Sequence, residues 1–131
     1  MQEPFWISLE AAVAFHERQL AEHIGGIGVR DIGLLESALA KPQNLFSYSD
    51  GQVDVAAMAA SYAYGIATDH PFIDGNKRTA LVVSFVFVEL NGYTITASEI
   101  DAYTTILALA AGDLSEDELA EWFRRVIEGK L

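Results

Sequence analysis

The chain has 131 residues, 51% of them hydrophobic and 21% charged, which is the length and apolar content of one compact domain and not of a disordered tract. It has no cysteine, which excludes a disulfide framework, a thiolate metal site and a cysteine nucleophile. A net charge of −11 repels phosphate backbones and anionic bilayers, so neither nucleic acid nor a membrane is expected as a partner.

The opening MQEPFWISLE lacks a basic region followed by an apolar one, so no signal peptide is expected. The longest apolar run, Ala80 to Val88, is broken by Ser84 and is too short to span a bilayer. A soluble, cytoplasmic protein with a single domain over residues 1–131 is the expectation.

Ser8 is positioned to cap a first helix with Leu9, Val13, His16 and Leu20 on one face. His16 reads as a satisfied core histidine, and GGIGV at 25–29 as the break after this helix. Asp31 caps a second helix carrying Leu34, Leu35, Ala38 and Leu39, expected to stop at Pro42. Residues 42–52 then read as a loop. A third helix is expected from about Val53 to Thr68, with Val55, Met58, Ala59, Tyr62 and Ile66 as its stripe.

The stretch after Gly75 is rich in β-branched and aromatic residues and on that ground alone could be a strand. Asp74 as N-cap, Asn91-Gly92 as stop and the length between them favour a buried central helix. A short extended piece fits between Asn91 and Thr96. Ser98 with Asp101 opens a helix ending near Gly112. Ser115 with Glu118 forms a better capping box, opening a last helix with Leu119, Trp122, Phe123, Val126 and Ile127 that ends at Gly129. The expected class is all-α, with about six helices.

Chemistry concentrates in His70-Pro71-Phe72-Ile73-Asp74-Gly75-Asn76-Lys77-Arg78, which joins the third helix to the central one. The first turn of a helix has free N–H groups and a partial positive charge, and so attracts anions. Gly75 allows close approach of a phosphate, and Lys77 and Arg78 add full charges at a helix end where cations are otherwise unfavourable. Asp74 beside such a cradle suits Mg²⁺, which is held by one or two carboxylates plus substrate phosphates; its blander role is to cap the helix. Histidine is the side chain whose unperturbed pKa lies nearest neutrality, so His70 is the candidate to take a proton from a hydroxyl. Phe72 would anchor the loop in the core. A transition-metal site built on His70 and Asp74 lacks a third ligand nearby, and His16 and His23 are too uncertainly placed to supply one.

This run resembles the signature of the Fic/Doc superfamily, His-x-Phe-x-Asp/Glu-Gly/Ala-Asn-x-Arg. Lys77 followed by Thr79-Ala80 is similar to the Doc (death-on-curing) branch, the toxins of phage and plasmid addiction modules. Asp31 to Gln43 and Leu81 to Tyr93 resemble the flanking segments of Doc-like proteins, so the likeness covers most of the chain. The resemblance implies a Fic-fold bundle with the central buried helix after the active-site loop. It implies that His70 is the base, that Asp74 positions Mg²⁺, and that Gly75, Asn76, Lys77 and Arg78 line the nucleotide phosphates. It implies that residues 42–52 form the flap that aligns the target. The AMP-transferring pattern has glycine where Lys77 stands and a second arginine where Leu81 stands. Doc-type proteins share both departures and transfer the γ-phosphate of ATP to a threonine of elongation factor Tu, blocking translation.

AMP transfer to a protein hydroxyl is the alternative activity, and a non-catalytic nucleotide-binding module is a second. The inhibitory motif Ser/Thr-x-x-x-Glu-Gly/Asn of many Fic proteins is missing: Glu128-Gly129 has Arg124 where Ser or Thr is needed. Inhibition is therefore expected from a separate Phd-type antitoxin with a tail that folds along the toxin.

Overall fold

The computed structural model describes residues 2–22 and 28–129. Its elements run α1 Leu9–Glu22, α2 Ile32–Tyr48, α3 Val55–Asp69, α4 Asn76–Leu90, β1 Thr94–Ile95, α5 Glu99–Ala110, α6 Glu116–Val126 and β2 Ile127–Glu128. Gly25 to Ile27 of the expected break after α1, and His23, lie outside the described residues.

Most helix starts follow from a side-chain oxygen meeting an orphan N–H. Ser8 accepts from Ala11 N–H, Asp31 from Leu34, Asp54 from Ala57 and Ser98 from Asp101. Ser115 and Glu118 form the reciprocal capping box expected of them. Asn91 ends α4, and Gly92 follows at φ 93°.

Helix α3 is buried nearly all round, through Met58, Ala59, Tyr62, Ala63 and Ile66 among others. It packs between α2, α4 and α6. Its small residues let neighbours come close: a Cβ built on Gly65 would lie 3.0 Å from the Cβ of Ala38. Helix α4 lies beside it and buries Ala80, Val83, Phe87 and Val88. The segment before α1 is tied down at both edges. Asn91 accepts from Phe5 N–H and donates to Phe5 C=O, while the Tyr62 hydroxyl accepts from Ile7 N–H. Burial pushes the Tyr62 phenol up to about 12.

Two boundaries differ from expectation. Helix α2 does not stop at Pro42 but continues to Tyr48, so most of the expected 42–52 loop is helical. Proline costs the helix one hydrogen bond, yet Leu35, Ala38, Leu39 and Pro42 are buried on one stripe, and Phe46, one turn on, packs edge-on against Trp6. Burial of that stripe outweighs the lost bond. At the other end, α6 stops at Val126. Ile127 and Glu128 instead pair antiparallel with Ile95 and Thr94, and Thr96 bonds back to the Val126 carbonyl.

One ion pair joins the last helix to the start of α3. Arg124 donates to both carboxylate oxygens of Asp54, at 2.7 and 3.1 Å. The Arg124 hydrogen bonds, against some desolvation and aided by Ala57 N–H, hold the Asp54 carboxyl below its ordinary 3.8. A carboxyl held low in the folded state stabilises fully above its unfolded pKa, and loses that contribution as pH falls through the folded one. Because both side chains are half exposed, the pair contributes about 0.5–1 kcal/mol. Asp54→Asn keeps a capping side chain, and is expected to lose about that much at pH 7 and to show a shallower loss of stability below about pH 4. Equal acid sensitivity in urea titrations of the two proteins would rule the pair out as a contributor.

Candidate active site

The loop from His70 to Gly75 turns the chain from the C-terminus of α3 into the N-terminus of α4. His70 closes α3 in the left-handed region, at φ 52° and ψ 55°. That position usually takes glycine, and a side chain there carries about 1–2 kcal/mol of strain. A residue absent from the sequence-derived site supports it. Arg30 donates from Nε to the His70 carbonyl at 2.7 Å and from its terminal nitrogen to the Asp69 carbonyl at 2.9 Å. A cation on the last carbonyls of a helix also complements its dipole. The Arg30 and Asp31 N–H groups both donate to the Pro71 carbonyl, Ile73 N–H donates to the Gly28 carbonyl, and Val29 bridges Phe72. The chain lying alongside the active loop is therefore 28–31, while residues 42–48 of the expected flap are the last turns of α2.

Phe72 is fully buried. Its ring stacks on the His16 imidazole, with centroids 4.0 Å apart and planes 8° apart. Its backbone is closed by Asn76, whose side-chain oxygen accepts from Phe72 N–H and whose amide donates to Phe72 C=O, both at 3.0 Å. Asn76 is only 8% exposed. The carboxamide expected to hold phosphate is thus engaged in bracing the loop, and among the described residues no other group bonds to the Phe72 N–H or C=O. Asn76 keeps its backbone N–H for the cradle.

Asp74 does not cap α4. The N-cap is Gly75, left-handed at φ 77°, and no side chain caps this helix end. The reason is local: Asp74 Oδ1 accepts at 2.8 Å from the next residue's N–H, at Gly75, and stops there. The N–H groups of Asn76, Lys77 and Arg78 are left without protein partners among the described residues. The second Asp74 oxygen is likewise without a protein hydrogen bond.

His70, Asp74, Gly75, Asn76, Lys77 and Arg78 line one cavity of about 280 Å³, together with Ile73 and Tyr103. Phe72 lies beneath it. The sequence pattern missed Tyr103, which arrives on α5 with the Arg78 guanidinium 5.2 Å from its ring centre. Neither Lys77 nor Arg78 makes an ion pair among the described residues. No three metal-ligating side chains gather anywhere among those residues. A divalent cation here would have Asp74 alone and would need oxygens from its substrate, which is how Mg²⁺ is commonly held. Arg78 and Tyr103 also border a second cavity, of about 750 Å³, whose walls include Leu81, Val82, Phe85 and Val86 of α4.

Asn76→Ala would leave Phe72 N–H and C=O buried without partners. It is expected to cost about 2–3 kcal/mol in chemical denaturation. A loss below about 0.5 kcal/mol would mean that the amide does not brace the loop.

Residues 6–88 match the model of the Fic/DOC family. The chain is 32% identical over 120 residues to a protein of Escherichia phage P1 named protein kinase doc, covering 92% of this chain and 94% of that one. It is 33% identical over 98 residues to a protein of Mycolicibacterium smegmatis named toxin Doc, covering 73% and 75%. With the motif loop, the six helices and these relatives in agreement, the chain belongs to the Fic/DOC family.

Proposed function

We propose that this protein is the toxin of a toxin–antitoxin module and acts as a protein kinase, moving the γ-phosphate of ATP to a threonine or serine hydroxyl of a cytoplasmic protein. Elongation factor Tu is the proposed target, with arrest of translation as the result. The observation that carries the reading is the uncapped first turn of α4. Its free N–H groups share one cavity with an imidazole, a carboxylate and two cations that have no ion-pair partner among the described residues. The kinase name of the phage P1 relative supports the same reaction.

The chemistry asks little of the protein beyond position and charge. The first-turn N–H groups and Arg78 take up phosphate oxygens, and Lys77 adds charge at the cavity wall. Asp74 would hold Mg²⁺, which would supply further positive charge beside the phosphates. The His70 imidazole accepts the proton of the target hydroxyl as its oxygen bonds to the γ-phosphorus. The bridging P–O bond breaks, and ADP leaves. Leu81 stands in the wall of the apolar cavity and offers no second clamp for a phosphate, which favours this reaction over AMP transfer.

The proposed inhibitor is a Phd-type antitoxin. The 750 Å³ groove along α4 suits an amphipathic tail, since it is largely apolar and meets the active-site cavity at Arg78 and Tyr103. A tail seated there would also obstruct the cradle.

The test uses purified protein, Mg²⁺, elongation factor Tu and ATP labelled at the γ- or the α-phosphate. Label transferred only from the γ position is expected. Transfer from the α position would replace the kinase with an AMP-transferase, and no transfer from either would remove elongation factor Tu as the target. His70→Ala is expected to lose about 10²–10⁴-fold in turnover while still binding nucleotide by titration calorimetry. Undiminished turnover would take His70 out of the mechanism.

A further inference from the structure

His16 is 1% exposed and sits on α1, far from the motif in sequence. Packing alone does not account for it. Its Nε2 lies 2.7 Å from the Asp74 carbonyl oxygen. A carbonyl only accepts, so Nε2 carries the proton and donates it. The bond reaches the one peptide between the carboxylate proposed for Mg²⁺ and the glycine that opens the phosphate cradle.

The geometry points to His16 as a positioning residue for the nucleotide-binding turn, which it aims by fixing the plane of the Asp74–Gly75 peptide. The inference rests on the phosphotransfer reading for what the turn binds. In a trans peptide, C=O and N–H point in opposite directions. With its C=O drawn to His16, this peptide directs its N–H away from α1, and there it meets Asp74 Oδ1 at 2.8 Å. One bond to His16 thereby sets the carboxylate as well. The plane is not fixed by the local chain, because glycine takes left-handed and right-handed backbone with nearly equal ease. Gly75 sits at φ 77°, and with the opposite peptide orientation the Asp74 carbonyl would face the cradle and repel an anion.

The ring that supplies this donor is itself immobilised. It stacks on Phe72 and its edge lies 3.6–3.7 Å from where a Gly75 Cβ would be, in van der Waals contact with the turn itself. An aromatic hydrocarbon would give the same stacking without the donor. That difference makes the role testable.

Two variants separate donor from packing. His16→Phe keeps an aromatic ring against Phe72 and removes the N–H. His16→Gln removes the ring and keeps a donor of similar reach. The measurements are thermal stability, Mg-ATP affinity by calorimetry and amide exchange at Gly75 to Arg78. His16→Phe is expected to be the more stable of the two, yet to bind Mg-ATP about tenfold or more weakly than wild type, with faster exchange in the turn. His16→Gln is expected to recover most of the affinity despite lower stability. Affinity that merely follows stability, or unchanged affinity in His16→Phe, would overturn the assignment. Wild-type protein that bound no Mg-ATP would remove the phosphotransfer reading instead. His16 would then be judged on exchange alone, with unchanged rates in His16→Phe overturning it and faster rates supporting it.

Discussion

The site depends on the burial of one residue, Phe72. A loop that displays His70, Ile73, Asp74, Lys77 and Arg78 to solvent has few apolar groups with which to hold itself in place. Phe72 goes the other way, into the core between His16 and its neighbours, and takes its backbone N–H and C=O with it. Buried backbone groups need partners, and the bridge to Val29 bonds only the neighbouring Pro71 C=O and Ile73 N–H. Asn76 bonds those of Phe72 with both ends of one amide, which imitates the paired bonds of a β-ladder. The same device appears where Asn91 holds Phe5. Here it has a further consequence. Asn76 is the first residue of α4, so fixing Phe72 to it fixes the start of the helix relative to the loop.

The electrostatics follow from that placement. A helix start ordinarily gains from an acidic first turn and a capping oxygen, as α6 does with Glu116, Asp117 and Glu118 after Ser115. Helix α4 has the opposite arrangement: no cap, and Lys77 and Arg78 in its first turn. Within a chain of net charge −11 there is no shortage of carboxylates to neutralise them. Arg78 instead rests over the Tyr103 ring, and its charge stays available. Departures from local rules of this kind are expected where stability is given up for function.

Which parts were legible in the sequence follows from how far each feature reaches along the chain. Caps are local, and Ser8, Asp31, Ser98 and Ser115 all act where their spacing indicated. The motif is contiguous, so its gathering into one cavity needed only a turn between two helices. Asp74 failed as a cap because a competing bond to the adjacent N–H is equally local and cannot be ranked from sequence. Pro42 failed as a stop because the partners of its buried stripe, Trp6 among them, lie in another segment. His16, Arg30 and Tyr103 were invisible as site residues for the same reason. Each reaches the loop from a separate part of the chain, and no local pattern distinguishes a histidine that fills a core from one that also holds a carbonyl.

Those distant supports divide the loop between them in a way the motif itself could not. Arg30 takes the last carbonyls of α3 and steadies the strained turn at His70. Segment 28–31 takes the Pro71 carbonyl and the Ile73 N–H. His16 takes the Asp74 carbonyl, and Asn76 takes Phe72. From 69 to 74 the carbonyls of Asp69, His70, Pro71, Phe72 and Asp74 and the N–H groups of Phe72 and Ile73 each have a protein partner, whereas the N–H groups at the start of α4 have none among the described residues. An anion entering the cavity meets donors already oriented and already without competitors, so little reorganisation opposes its binding. In the proposed reaction the motif side chains would supply charge and a proton acceptor, and a backbone held by Asn76 from within the motif and by His16, Arg30 and residues 28–31 from outside it would give them a fixed place.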